Sequence, residues 1–278
     1  ITGASAGIGA QAARAFASER PGTKLVITAR RADRLRTLAA ELETSGSRVA
    51  IVAGDICQDE TRVQCIEAAL ALGGLWGVVN NAGLGQLGPC ELVSAEAARR
   101  QLDVNVIAPM ELLRLALPHM RKQRGGRIVN VTSVLGVMSV PSMAWYCASK
   151  HAMEALTQSM RVELAPYGIH VAVVRPGRIA TEFSDVAVDS ATDILPDSVG
   201  DYSWFRRTVE ARTAREGGMG GSADWVAYAI VDAVTSEFPK PVYRVTASAR
   251  TLPLLRAILP TSVGDTLLRR SFGIPQSS

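Results

Sequence analysis

The chain has 278 residues, of which 47% are hydrophobic and 20% charged, with a formal net charge of +4; this is ordinary globular composition, long enough for one large core. It contains no apolar run of about eighteen residues and no basic leader followed by an apolar stretch, so neither a spanning helix nor a signal peptide is predicted. Cys57, Cys65, Cys90 and Cys147 have no C-x-x-C spacing, and His119, His151 and His170 fall at no metal-ligand spacing, which argues against a disulfide framework and a zinc site and fits reduced thiols in the cytoplasm.

The opening residues, Ile1-Thr2, run straight into the glycine-rich stretch TGASAGIG (2–9), so the strand expected before this turn is cut short. A helix-period segment near 9–20 follows, then the β-branched run KLVITA (24–29), a helix near 32–45 and RVAIVA (48–53). The alternation continues with a helix near 59–72, WGVVN (76–80), a helical stretch over 95–122 that Ser94 can cap, and RIVNVT (127–132). A helix near 145–166 ends before Gly168 and leads to HVAVV (170–174). Ser222 then precedes a helix near 224–236, and VYRVTA (242–247) is the last strand candidate. Near-continuous apolar runs suit strands covered on both faces. Strand–helix alternation at this spacing predicts right-handed crossovers and a doubly wound, mostly parallel α/β sheet in three layers.

Residues 178–222 break the rhythm. They are rich in Asp, Gly and Ser with interspersed aromatics, and are expected to form a lid or substrate lobe. From Lys240 onward six basic residues stand against the single acid Asp265, so this segment carries +5 and the rest of the chain −1. The stretch ARTLPLLRAILPTSVGDTLLRRSFGI, broken by Pro253 and Pro260, is amphipathic. It suits a cap on the protein's own core, a substrate lid or a membrane-surface contact. The chain is read as one domain over 1–278, with the lobe at 178–222 and a basic C-terminal segment at 248–278.

Several stretches carry chemistry. Gly3, Gly7 and Gly9, with Ser5 and Ile8 between them, form a G-x-x-x-G-x-G turn from strand to helix. Such a turn lets backbone N–H groups approach a pyrophosphate at a helix N-terminus, and a structural glycine turn is the other reading. At the tip of the next strand a dinucleotide fold usually carries an acid for a ribose 2′-hydroxyl; here the chain reads Ala29-Arg30-Arg31. A guanidinium favours a 2′-phosphate, so Arg30, aided by Arg31, points to NADP (as NADPH) rather than NAD. Asp33 lies close by, and a solvated helix start would also explain the arginines. GDI (54–56) and NNAG (80–83) follow the next two strands, where ligands bind in open α/β sheets. Asp55 and Ile56 are placed for the adenine, and Asn80, Asn81, Ala82 and Gly83 for lining the cofactor. In YCASK (146–150) the Tyr146 phenol, with an ordinary pKa of about 10, lies one helical turn before Lys150, whose charge would lower it. A surface tyrosine and lysine on an ordinary helix would show the same spacing.

Taken together, TGASAGIG, GDI, NNAG, Asn105 in LDVNVIAP, Ser133 in IVNVTS, YCASK and RPGRIATEF (175–183) resemble the short-chain dehydrogenase/reductase family in its single-domain, Rossmann-fold form. The resemblance runs in order and spacing from residue 2 to about residue 183, and loosely through SADWVAYAIVDAV. It implies an oxidoreductase that moves hydride between a nicotinamide cofactor and a carbonyl or secondary alcohol. By that resemblance Tyr146 is the general acid/base, Lys150 holds the nicotinamide ribose and lowers the phenol pKa, and Ser133 steadies the reacting oxygen. Asn105 would hold a water leading from Lys150 to solvent, and Pro176, Gly177, Ile179 and Thr181 would wrap the nicotinamide and its phosphates. It also implies a homodimer or homotetramer paired through helices 95–122 and 145–166.

Met138, Met143, Trp145, Phe183, Trp204, Phe205 and Met219 would line an apolar substrate pocket or belong to the core. Cys147 is expected to pack and His151 to take no part. The main competing class is a silent NADP-binding sensor or scaffold, against which the complete Asn-Ser-Tyr-Lys set speaks. A nucleic-acid binder would rest on the basic tail alone, and none is expected.

Overall fold

The computed structural model describes residues 1–192, 194, 202–213 and 220–275. The β-branched runs become strands β1 (Lys24–Ala29), β2 (Arg48–Ala53), β3 (Gly77–Asn80), β4 (Gly126–Val131), β5 (Ile169–Arg175) and β6 (Val242–Arg244). All pair in parallel, β1 with β2 and then β3-β4-β5-β6 in a second block. Residues 1–4 join the blocks. Thr2 N–H donates to Val79 O at 3.0 Å, Thr28 N–H to Ile1 O at 3.1 Å and Ala4 N–H to Thr28 O at 3.2 Å. Short as it is, this segment holds the central strand position, and the glycine turn leaves from the point where strand order reverses. That crevice is where open α/β sheets bind ligands.

Helices α1 (Gly7–Glu19), α2 (Ala32–Thr44), α3 (Asp59–Ala71), α4 (Ala95–Leu102), α5 (Ala108–Lys122) and α6 (Ala144–Leu164) alternate with the first five strands. Strand residues alternate between two cores, as a period of two requires. Val129, Ala172 and Val174 join the alanine-rich face of α1, the leucines of α2 and α9 (Ala223–Thr235). Ile128, Val171 and Ile169 pack instead with α3, α5 and Leu164 of α6. Ser94 and Ser222 cap α4 and α9 by accepting from Ala97 N–H and Asp224 N–H, and Gly168 adopts φ +71 beyond α6.

Two expectations need correction. The helical stretch 95–122 is not continuous: a π turn at Asp103–Ile107 separates α4 from α5. Pro109 has no N–H with which to meet the Asn105 carbonyl four residues back, so the ordinary α pattern cannot run through. The last strand ends at Arg244 rather than 247, because Thr246 turns to cap α10 (Ala247–Ile258) by accepting from Ala249 N–H.

The stretch 178–222 contributes α7 (Phe183–Thr192) and α8 (Ser203–Thr213). Their apolar side chains Ala187, Ala191, Trp204, Phe205 and Val209 form a third core with Leu87, Met143, Tyr146 and Cys147. The C-terminal helices α10 and α11 (Thr261–Ser271) bury little beyond Ala249 and Gly264. Phe272 and Ile274, just past them, pack against the lobe core, while Leu254, Leu255, Ile258 and Leu267 on the helices stay exposed.

Candidate active site

The glycine turn is built by close approach. Gly3 and Gly7 adopt φ +68 and +52, which L side chains rarely accept. A Cβ on Gly3 would stand 2.8 Å from Ala82 Cα, and one on Gly9 2.6 Å from Asn81 Nδ2 and closer still to the Gly3 carbonyl. Asn81 stitches the two loops together: its Nδ2 donates to Thr2 O at 2.9 Å, while its backbone N–H and that of Ala82 donate to Thr2 Oγ1 at 3.0 Å. No side chain caps the N-terminus of α1, where the N-cap position is Ala6. An uncapped helix start behind a glycine cradle is the donor set a pyrophosphate requires, so these residues fit a dinucleotide.

At the adenosine end the arrangement departs from expectation. Arg30 is exposed, and Arg31 is the guanidinium that reaches the glycine turn, donating from Nε and Nη2 to Ser5 Oγ at 3.2 and 3.1 Å. Arg31 Nη1 also pairs with Glu182 at 2.9 Å, and Arg34 Nη1 with the other oxygen of the same carboxylate at 2.6 Å. Asp55 sits at the crevice but is engaged, accepting from Cys57 N–H at 3.0 Å and pairing with Arg100 at 2.6 Å. Burial pushes its carboxyl up; the Cys57 N–H and Arg100 together outweigh that and hold it below the usual range. Ile56 packs into the α3–α5 core. Asn80 does not face the cleft either: it is buried and donates to Asn130 Oδ1 at 2.9 Å, tying β3 to β4.

Four of the singled-out side chains converge beyond the carboxyl end of β4. Lys150 is buried and donates from Nζ to Val131 O at 3.0 Å, 5.7 Å from the centre of the Tyr146 ring. Asn105 is clamped on Leu84, accepting from its N–H at 2.7 Å and donating to its carbonyl at 2.9 Å, with a second bond to Ser149 Oγ at 3.0 Å. Its side chain is therefore committed to Leu84 and Ser149. Gly83 lies between Asn105 and Lys150: a Cβ there would be 3.6 Å from Asn105 Oδ1 and 3.7 Å from Lys150 Nζ. Ser133 Oγ accepts from Leu135 N–H at 3.1 Å, and Ser133 lies near enough to the Tyr146 phenol to pull its pKa down.

The electrostatics correct one expectation. Burial pushes the Tyr146 phenol up to about 12, against the downward pull of Ser133. Burial also lowers Lys150 to about 8, with the Glu154 carboxylate opposing. Desolvation decides both directions and outweighs the expected lowering of the phenol: the Tyr146 phenol is buried in the lobe core, and the Lys150 ammonium is buried on Val131 O. Glu154 is itself held by a buried bidentate pair with Arg175 at 2.7 and 2.9 Å, and accepts from Thr132 Oγ1 at 2.7 Å. This network carries no motif and was not legible beforehand.

The segment after β5 closes over the turn. Val134 N–H donates to Pro176 O at 2.8 Å and Gly177 N–H to Thr246 Oγ1 at 3.1 Å. Ile179 is buried and bridged to Gly221, while Thr181 lies against Gly7. Phe183 lies against Tyr146 in a tilted arrangement, with ring centres 5.5 Å apart and planes inclined by 52°. Met138, Met143 and Trp145 flank the same region at intermediate to full burial, whereas Trp204 and Phe205 are core residues of the lobe. Met219 lies outside the described residues. Cys147 packs in the lobe core with its thiol pushed up by burial, and His151 bonds the Cys147 carbonyl at 2.8 Å.

Comparison with known proteins places these features in context. A family model described as short chain dehydrogenase matches residues 1–191. Retinol dehydrogenase 8 of Bos taurus is 32% identical over 276 residues, covering 98% of this chain and 88% of the relative. Human 17-beta-hydroxysteroid dehydrogenase type 1 is 32% identical over 275 residues, covering 95% and 81%. Among solved structures, a short chain dehydrogenase/reductase from Burkholderia phymatum in complex with NAD superposes with a TM-score of 0.80 at 26% identity, covering 100% of this chain and 96% of that one.

Proposed function

The chain belongs to the short-chain dehydrogenase family, and from that premise we propose that it is an NADP-dependent oxidoreductase. Its substrate is an apolar ketone or the corresponding secondary alcohol, and it works as one domain whose 178–222 lobe receives that substrate. The observation that carries the reading is the convergence of Asn105, Ser133, Tyr146 and Lys150 beside the glycine turn. The dinucleotide would be held by Gly3, Ser5, Gly7, Ile8 and Gly9 at its pyrophosphate, by Arg31 and Asp55 at its adenosine, and by Asn81, Ala82 and Gly83 along one side. Lys150 and the 176–181 segment, with Pro176, Gly177, Ile179 and Thr181, would close on its nicotinamide end. When bound, the nicotinamide supplies or accepts the hydride.

The chain's own residues handle the proton. Tyr146, protonated at neutral pH, donates from its phenolic oxygen to the carbonyl oxygen of the substrate. Ser133 hydrogen-bonds that same oxygen and stabilises the charge it develops. Lys150, anchored on Val131 O, keeps a cation beside the resulting phenolate. A water held at Asn105 would return the proton from solvent.

An apolar substrate is supported by the lobe core over Tyr146 and by the names of the two animal relatives. NADP is favoured by the guanidiniums of Arg31 and Arg34 at the adenosine end. Exposed Leu156 and Val162 on α6 support a homodimer or homotetramer. Four free thiols support a cytoplasmic location, and no helix among the described residues is long and apolar enough to cross a membrane. The test is to mix purified protein with NADPH and a panel of apolar ketones and follow loss of the reduced cofactor's near-ultraviolet absorbance. Turnover of at least one ketone is expected; tight NADPH binding without turnover across the panel would overturn the enzymatic reading.

A further inference from the structure

Glu182 occupies an unusual position. It is the residue before α7, yet its carboxylate crosses to the start of α2 and takes both guanidiniums there, Arg31 at 2.9 Å and Arg34 at 2.6 Å. Arg31 simultaneously donates twice to Ser5 Oγ in the glycine turn. Two guanidiniums gathered on one anion, one of them braced on the Ser5 hydroxyl of the glycine turn, are the kind of donor set a phosphomonoester takes. A carboxylate carries one charge and two acceptor oxygens; a phosphate monoester carries about −1.5 to −2 and three. The same donors therefore hold a phosphate more strongly than they hold Glu182.

The neighbours of Glu182 link this anion site to the reacting centre. Thr181 rests against Gly7, and Phe183 lies on Tyr146 with ring centres 5.5 Å apart. Backbone bonds tie 178–180 to Gly221, Ala180 N–H donating to Gly221 O at 3.3 Å and Gly221 N–H to Arg178 O at 2.9 Å. The segment 181–183 is thus anchored at its start and held at its end by the Glu182 ion pairs and the Phe183 contact.

We propose that Glu182 is a specificity-determining residue that stands in for the cofactor's 2′-phosphate on Arg31 and Arg34, and that it is displaced by NADPH but not by NADH. The inference rests on the NADP reading of the site. Displacement frees Glu182 and loosens Phe183 over Tyr146, so the phosphorylated cofactor both wins the anion site and opens the substrate side.

The test is calorimetric titration of NADPH, NADH and 2′,5′-ADP against the wild type, Glu182→Gln and Arg34→Ala. Glu182→Gln is expected to tighten NADPH and 2′,5′-ADP roughly three- to tenfold, the scale of one or two exposed ion pairs, and to change NADH less than about twofold. Arg34→Ala is expected to weaken the two phosphorylated ligands and spare NADH. Amide exchange over 183–192 gives a readout independent of affinity: NADPH but not NADH raises it in the wild type, and Glu182→Gln shows the raised level without ligand. Unchanged or weaker NADPH binding by Glu182→Gln overturns the proposal even if the wild type prefers NADPH. A wild type that prefers NADH overturns the NADP reading instead, and a Glu182→Gln gain confined to NADPH would still support the competition.

Discussion

Replacing Lys150 with methionine should stabilise the protein at neutral pH while disabling it. The ammonium is fully buried, and burial lowers its pKa from the ordinary 10.5 to about 8. At about 1.36 kcal/mol per pH unit, holding it charged at pH 7 costs about 3 kcal/mol of folding free energy. Methionine fills a similar volume without a charge but gives up the bond to Val131 O, worth about 1 kcal/mol. The net gain at pH 7 is about 2 kcal/mol, or about 3–4 °C in Tm for a chain of this length. The sign follows from linkage. A lysine whose folded pKa is depressed penalises the fold fully below about 8, and the penalty fades as pH rises toward 10.5. The advantage of Lys150→Met should therefore vanish, and reverse by about 1 kcal/mol, once pH passes the unfolded value. Denaturant unfolding of both proteins at about pH 7 and about pH 10.5 measures it. A variant less stable at neutral pH, or a difference that does not change with pH, would refute the burial argument.

Other outcomes follow from the same geometry. Arg31→Ala should weaken NADPH tenfold or more, against less than about twofold for Arg30→Ala, because only Arg31 reaches Ser5; the reverse order in a binding titration would restore Arg30. Gly9→Ala should cost about 1–3 kcal/mol in unfolding free energy and abolish tight cofactor binding, since its Cβ collides with the Gly3 carbonyl and Asn81. The phenol pushed up to about 12 is protonated at neutral pH, so ketone reduction should be flat below about pH 8 while alcohol oxidation keeps rising into the alkaline range. An oxidation optimum at neutral pH would show that the phenol is not held up.

Much of this was readable because it depends on local chemistry. Strands and crossovers follow from apolar runs and their spacing, and the serine caps and Gly168 from single-residue preferences at helix ends. The glycine turn and the tyrosine–lysine pair are likewise short-range signals. What was hidden depends on long-range approach. Glu182 meets Arg31 and Arg34 across 151 and 148 residues of sequence, and nothing in ATEF marks that glutamate as their partner. Asn80 sits in a motif read as cofactor-lining, yet strand pairing turns it onto Asn130. The break in 95–122 was visible in principle as Pro109, but helical periodicity on either side masked it. The phenol pKa could not be read from the Tyr146–Lys150 spacing, because burial under residues far along the chain decides it.

The central claim is that the Tyr146 hydroxyl delivers the proton to a substrate oxygen. Its most direct measurement is ketone turnover by Tyr146→Phe beside NADPH affinity from titration. A fall of roughly 10²–10⁴-fold in turnover, with affinity within about twofold of the wild type, is the expected result. A phenylalanine variant that keeps a third or more of the wild-type rate would contradict it.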